Sequence, residues 1–457
     1  MSATDTIPLR QVNVDVVDEP TRAGANWTAC VIDQDIRFSA EHLLSFAFAN
    51  FEPIVFDTLV VAAAIEFCDR IAPRSSKMWG REFVVRIAVH DPARWNDSSI
   101  ANPLHETLNL LTGDKWNLVF VRRARDYQAI GQSHLFSLDG VNAVIAFSEG
   151  LDSKAVSGLF SREMGNSLVR VRVGEKLKKY PVEEGRRVPF TGIPYSVTTG
   201  DGHKETSFRS RGFKFASVSG LAAYLTGARE IIMTESGQGA LGPALLPVGQ
   251  GYPDYRNHPL FTIRMAKFLN ALFGTSLSFR FPRLWSTKGA TLAAYIREYG
   301  DQGEWRQTRS CWQGPRQMST NGDFRQCGIC AACMLRRQSV HAAGLTEMAN
   351  TYVWENISAH DFEQGASGSF AKMTPALREY AVAGTLHLDH LAAMADNNAE
   401  KHVKARLAAE LSEALGQPLD DVRQLLANLL SAHAAEWKAF VNSLGPGSFV
   451  AGWASAA

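Results

Sequence analysis

Four of the chain's six cysteines fall within 23 residues, Cys311 followed by Cys327, Cys330 and Cys333, and no other feature constrains the fold as tightly. In a long chain whose first residues lack a basic segment followed by an apolar run, such clustering points to a bound metal rather than to disulfides. The C-x15-C-x2-C-x2-C spacing puts three thiolates on one short knuckle and brings a fourth from an upstream loop, enough to close a tetrahedron around zinc. An iron–sulfur cluster also suits two successive two-residue gaps, and spacing alone leaves it open. Four thiolates leave no place for water, so the zinc is expected to be structural. Cys30 and Cys68 stand alone in apolar surroundings and read as packing residues.

At 457 residues the chain exceeds what one hydrophobic core usually serves, and its 46% hydrophobic and 20% charged residues suit a folded globular protein throughout. A formal charge of +1 gives no global attraction to nucleic acid or anionic lipid. The longest apolar stretch, 59–65, is far too short to span a bilayer, and a cytoplasmic placement is expected.

From residue 141 the pattern becomes strand, turn, helix, repeated, which predicts a parallel sheet with crossover helices. Strands are expected at 141–147, 169–173, 230–234 and 277–281, and helices at 154–164, 213–228, 260–273 and, capped by Ser286, 287–299. Before this core, residues 1–135 form an N-terminal α+β domain, with strands at 83–89 and 116–121, a helix at 56–68 and a connecting loop at 91–102. The core with its cysteine knuckle covers 136–345, and a helical domain covers 346–457, with helices at 399–415 and 419–444. A charged insertion, 175–187, and a Gly-rich loop, 236–251, interrupt the core. The basic run Lys176 to Lys179 reads as a solvated edge, and His387, Asp389 and His390 as an exposed helical face.

Ser148-Glu149-Gly150-Leu151-Asp152-Ser153 joins a buried strand to a helix start, where free amides and the helix dipole favour a phosphate. Gly150 permits close approach, Ser148 and Ser153 offer hydroxyls, and Asp152 can cap the helix or hold a nucleotide-bound cation. Simple helix capping by Asp152 and Ser153 accounts for the same residues about equally well. The hexapeptide resembles the SGGxDS signature of the PP-loop ATP pyrophosphatases, which split ATP between the α and β phosphates. Glu149 stands where those enzymes have glycine, and a carboxylate beside a pyrophosphate is unfavourable unless it points away or meets a cation.

The cysteine segment, from Ser310-Cys311 through Cys327-Gly328-x-Cys330-x-x-Cys333-x-Leu335-Arg336 to Ala343-Gly344, is similar to the zinc knuckle of the 7-cyano-7-deazaguanine synthases, the QueC family. Between loop and knuckle, Arg209-Ser210-Arg211-Gly212, Gly251-Tyr252-Pro253-Asp254-Tyr255-Arg256 and Thr287-Lys288 resemble further elements of that family, in its order. Gly212 and Tyr255 replace the family's Asn and Cys. The resemblance implies ATP with Mg2+ and a 7-deazaguanine-type carboxylate as substrates, adenylated and then joined to an amine. It implies Lys288, Arg211 and Asp152 as catalytic groups and Arg209, Tyr252, Asp254 and Arg256 as substrate contacts. The synthases use ammonia and are about half this length. The larger form resembles the QueC-like proteins of bacterial anti-phage defence operons, where a protein partner from the same operon would supply the amine. The other readings are a nucleotide-binding subunit that has lost turnover, favoured by Glu149, and a transfer-RNA thiolation enzyme, which needs a reactive cysteine near the loop.

Overall fold

The structure, a computed structural model, describes residues 10–20, 23–39, 52–74, 80–125, 140–172, 192–200, 202, 204–205, 207–248, 252–314, 317–320, 322–396, 398 and 400–455. The insertion at 175–187, the run Lys176 to Lys179, Val173 and Gly251 lie outside them. In chain order the first elements are β1 (Arg10–Val17), β2 (Thr28–Val31), β3 (Ile36–Phe38), α1 (Pro53–Ile71), β4 (Arg81–Val89), α2 (Pro92–Trp95), α3 (Ser98–Thr112) and β5 (Lys115–Arg122). Then follow β6 (Ala143–Phe147), α4 (Leu151–Met164), β7 (Leu168–Arg172), β8 (Tyr195–Val197), α5 (Arg211–Thr226), β9 (Glu230–Ile232), α6 (Gly237–Leu245), α7 (Pro259–Phe273), β10 (Ser278–Arg280) and α8 (Lys288–Tyr299). After a short β11 (Ser319–Thr320) and β12 (Asp323–Phe324) the chain is helical: α9 (Ala331–Ala342), α10 (Pro375–Ala393), α11 (Lys401–Leu415), α12 (Leu419–Leu444) and α13 (Phe449–Ser455). The chain packs as two compact units, one of 1–146, 164–233 and 254–280, the other of 147–163, 234–253 and 281–457.

In the first unit β2-β1-β4-β5 form one sheet, every neighbouring pair parallel. The central strand β4 buries Phe83, Val85, Ile87 and Val89 completely, and Trp116 of β5 stacks on Phe83 at 4.4 Å. Helix α1 is buried from Ile54 to Asp69, so each charge it carries needs a partner. Asp69 meets Arg81 at 2.6 Å, Glu66 meets Lys214 at 3.0 Å, and Asp57 meets the His90 ring at 2.6 Å. Cys30 and Cys68 are free thiols inside this core. A second sheet runs β10-β9-β6-β7, with β10 parallel to β9 and β9 parallel to β6.

Three local expectations need correction. The stretch 91–102 is no loop: Asp91 caps α2, Asp97 caps α3 by accepting from Ser99 N–H, and Pro103 sits inside α3. The Gly-rich stretch after β9 folds as α6 despite Gly239, Gly242 and Pro243, because Ala240, Leu241 and Gly242 are buried against the second unit's own core. The cap of α8 is Thr287, not Ser286; its hydroxyl oxygen accepts from Ala290 N–H at 3.0 Å. By contrast α12 spans 419–444 as periodicity predicts, and Gly274 and Gly416 end their helices in the left-handed region.

Burial drives three histidines, His258 in the first unit and His387 and His433 in the second, to a pKa of about 4. His387 therefore does not lie on an exposed face: it is buried, and its Nδ1 meets the Leu246 carbonyl at 2.9 Å. A free imidazole titrates near 6.5, so below that pH the unfolded chain takes up protons that the folded chain refuses. Folding stability is thus complete above pH 6.5 and falls as pH drops toward 4, by about 3 kcal/mol per histidine. Denaturant unfolding at pH 7, 6 and 5 should show a steadily falling midpoint; a flat profile contradicts the neutral buried imidazoles.

Candidate functional site

The strand order places the site. From β6 the chain moves to its neighbour β7, then returns to β9 on the other side of β6, so the order reverses between β6 and β9. In open parallel sheets ligands bind beyond the carboxyl ends of the strands at such a reversal. The segments leaving β6 and β9 are 148–153 and 234–236, and in the second unit their side chains meet. Ser236 Oγ donates to Asp152 Oδ1 at 2.5 Å, and the Ser153 and Thr234 hydroxyls lie 3.2 Å apart.

The loop holds its own shape. Ser148 Oγ accepts from Gly150 N–H at 3.1 Å and shares a hydrogen bond with Ser153 Oγ at 2.9 Å. A Cβ on Gly150 would stand 3.2 Å from Ser148 Oγ, too near for an undisturbed turn. Lys154 N–H closes the first turn of α4 on the Gly150 carbonyl at 3.0 Å. Glu149 is exposed, and its backbone carbonyl accepts from Arg309 N–H at 2.7 Å.

Asp152 does not cap the helix. Its second oxygen, Oδ2, lies 2.5 Å from the ammonium of Lys288, the first residue of α8, and both residues are buried. Burial works to lower the Lys288 pKa, but the charges of Asp152 and Glu235 outweigh it and hold the pKa above the ordinary lysine value. A fixed buried cation therefore stands beside a strand-to-helix loop, a setting that favours an anion. Gln238 of α6 accepts from Lys288 N–H at 2.8 Å. Sequence reading missed Thr234, Ser236 and Gln238. Their only signal was their position just after an apolar strand, obscured by the glycines around them.

Tyr252 is half-buried and belongs to the second unit. Arg209, Arg211, Asp254 and Arg256 belong to the first. There Arg256 Nε lies 2.8 Å from Asp254 Oδ2; burial lifts the Asp254 carboxyl, but Arg256 and then Arg211 draw it below the usual range. The Gly212 Cα is close enough to Arg256 that a Cβ would lie 3.0 Å from it, so glycine admits this segment where a larger residue would displace it. Arg211 stacks over Phe215 at 5.1 Å, and Arg209 Nη1 donates to the Thr112 carbonyl at 3.0 Å.

The four cysteine sulfurs all lie within 4.8 Å of one another, with Cys327 Sγ and Cys333 Sγ 3.7 Å apart. Zn–S bonds of about 2.3 Å in a tetrahedron require sulfurs about 3.8 Å apart, so a single ion fits this set. In a cubane cluster each thiolate binds a different iron, which spreads the sulfurs further than one ion does. Cys330 precedes α9 and Cys333 lies in its first turn. Gly328, at φ 86°, makes the bend between Cys327 and Cys330, and a side chain there would meet Arg337 Nη2 at 2.7 Å. Gln326 Oε1 accepts from Ser310 N–H at 2.7 Å and Cys311 N–H at 3.3 Å, tying the upstream cysteine to the knuckle. Cys311 Sγ accepts amide hydrogens from Gln313 at 3.3 Å and Cys327 at 3.2 Å, which suits a thiolate. Hydrogen bonds from Cys327, Cys330 and Cys333 draw the Cys311 thiol far down. Three of the four ligands are buried among apolar residues, which leaves the site closed.

Among the described residues no helix is long and apolar enough to cross a membrane. No curated protein and no solved structure matches the chain. Residues 192–344 match the family model described as Queuosine biosynthesis protein QueC, a stretch that holds Arg209, Arg211, Tyr252, Asp254, Arg256, Lys288 and all four cysteines. The loop at 148–153 precedes it. Over residues 192–344, with the knuckle and the buried lysine, the chain is similar to the QueC family.

Proposed function

We propose that this protein uses ATP to adenylate the carboxylate of a 7-deazaguanine, as in 7-carboxy-7-deazaguanine, and joins it to an amine. The observation that carries the reading is the buried Lys288–Asp152 pair beside the Ser148–Ser153 loop at the strand-order reversal. In the first step a carboxylate oxygen attacks the α phosphorus and pyrophosphate leaves. Loop amides and the Ser148 and Ser153 hydroxyls hold the phosphates, and Lys288 offsets charge that grows in the transition state. In the second step the amine attacks the acyl carbon, loses a proton, and AMP leaves with the carboxylate oxygen. Magnesium bound with ATP would supply further phosphate charge compensation; Asp152 keeps unused lone pairs on both oxygens to hold it. Arg209, Tyr252, Asp254 and Arg256 are assigned to the heterocyclic substrate, and Arg211, with Lys288, to the charge that grows during adenylation.

Glu149 is exposed and so remains hydrated, which supports a competent loop over a degenerate one. A zinc held by Cys311, Cys327, Cys330 and Cys333 would fix the segment after α8 and, with no open position, take no chemical part. Residues 1–135 and 346–457 exceed what a synthase using ammonia requires, and this favours a protein amine as acceptor, as in the anti-phage setting. Incubation with ATP and 7-carboxy-7-deazaguanine should release AMP and pyrophosphate, and an acceptor protein should gain a deazaguanine-sized mass. Absence of AMP with every carboxylate and amine tried would sink the reading.

A further inference from the structure

Helix α12 lies outside the matched stretch, yet its Glu436 reaches the turn that carries Lys288, and its His433 reaches Gln238, which accepts from Lys288 N–H. Its buried stripe is otherwise apolar, Val422, Leu426, Leu429, Leu430, Trp437 and Phe440, and His433 sits in the middle of it fully buried. Packing alone would be served as well by leucine, since a buried imidazole is unfavourable unless both nitrogens are bonded. Both are. Nε2 lies 2.9 Å from the Leu388 carbonyl, which requires the proton there and makes Nδ1 an acceptor. Nδ1 then receives the amide groups of Gln238 at 3.3 Å and Gln338 at 3.1 Å. With its NH2 committed to His433, Gln238 presents its oxygen to Lys288 N–H, so the imidazole decides which end of that amide faces the lysine.

Glu436, one turn on, accepts the Thr287 hydroxyl hydrogen through Oε1, and Gln338 Nε2 lies 3.5 Å from Oε2. Because the Thr287 hydroxyl gives its hydrogen to Glu436, its oxygen stays directed at Ala290 N–H, the cap that starts α8. Gly289 completes the arrangement: a Cβ there would stand 3.0 Å from Glu436 Oε1 and 2.8 Å from Ala342 Cβ, so glycine beside Lys288 is what admits the carboxylate.

We propose that His433 and Glu436 are positioning residues for the nucleotide site, locking the Thr287–Lys288 turn so that the Lys288 ammonium is held on Asp152. The C-terminal helices then complete the site rather than append a separate module. What Lys288 does once positioned rests on the adenylation reading; the positioning itself does not.

The test compares Glu436→Met, which removes the acceptor, with Glu436→Gln, which keeps one, in the full-length protein. Acetylation of Lys288, followed by mass spectrometry against other lysines, should quicken about tenfold in Glu436→Met and stay within about threefold of wild type in Glu436→Gln. The Kd for ATP should rise about tenfold in Glu436→Met, but by less than about twofold when the same change is made on Lys288→Met. Equal acetylation in Glu436→Met and wild type, or an ATP effect of the same size in both backgrounds, would overturn the proposal. His433→Leu gives a second variant with the same expectations should Glu436→Met not fold. If wild type binds no ATP, the adenylation reading fails while acetylation still decides the positioning.

Discussion

Cys330→Ser, or prolonged chelation, should release one zinc per chain and unfold the knuckle together with the apolar cluster around it. This is the largest stability effect expected, because in small domains zinc binding to such sets provides about 10–16 kcal/mol of folding free energy. Cys327, Cys330 and Cys333 are buried with Trp354, Phe362, Trp437 and Phe440 in one cluster, so loss of the ion exposes thiols and aromatic rings together. Elemental analysis should return zinc, and thermal unfolding of the serine variant should show a separate early transition. Several irons with inorganic sulfide per chain would overturn the single-ion geometry; a serine variant that unfolds like wild type would overturn the structural role.

Lys288→Met should lower AMP formation by about a thousandfold, the range typical of removing one positioned group from a developing negative charge. The same change leaves Asp152 buried beside no cation, at a stability cost of about 3–5 kcal/mol. Pairing Lys288→Met with Asp152→Asn removes both charges and separates the two effects. Stability should return toward wild type while activity stays lost. Recovery of activity in the double variant would mean that the pair only holds the fold.

Much of the architecture was legible because its signals are local. Alternation in β4, the apolar length of α1, and Gly274 and Gly416 at helix ends each act within a few residues of themselves. The four-cysteine cluster was legible because a tetrahedral metal site demands that its thiolates converge whatever the surrounding fold. Misread stretches were those where tertiary contact overrides propensity. Pro103 sits inside α3, and α6 forms through Gly239 and Pro243, because each helix buries a face that its sequence alone does not reveal as a helix's. The partners of Asp152 were hidden for another reason. Ser236 and Lys288 are respectively 84 and 136 positions away, so only the fold could distinguish a carboxylate capping its own helix from one paired across the site.

Following the carboxylate oxygens tests the central claim most directly. With 18O in the carboxylate of 7-carboxy-7-deazaguanine, attack on the α phosphorus and later loss of AMP must carry one labelled oxygen into AMP. AMP should be heavier by about two mass units and should form in step with the product amide. Unlabelled AMP, or ADP and phosphate in place of AMP and pyrophosphate, would contradict it.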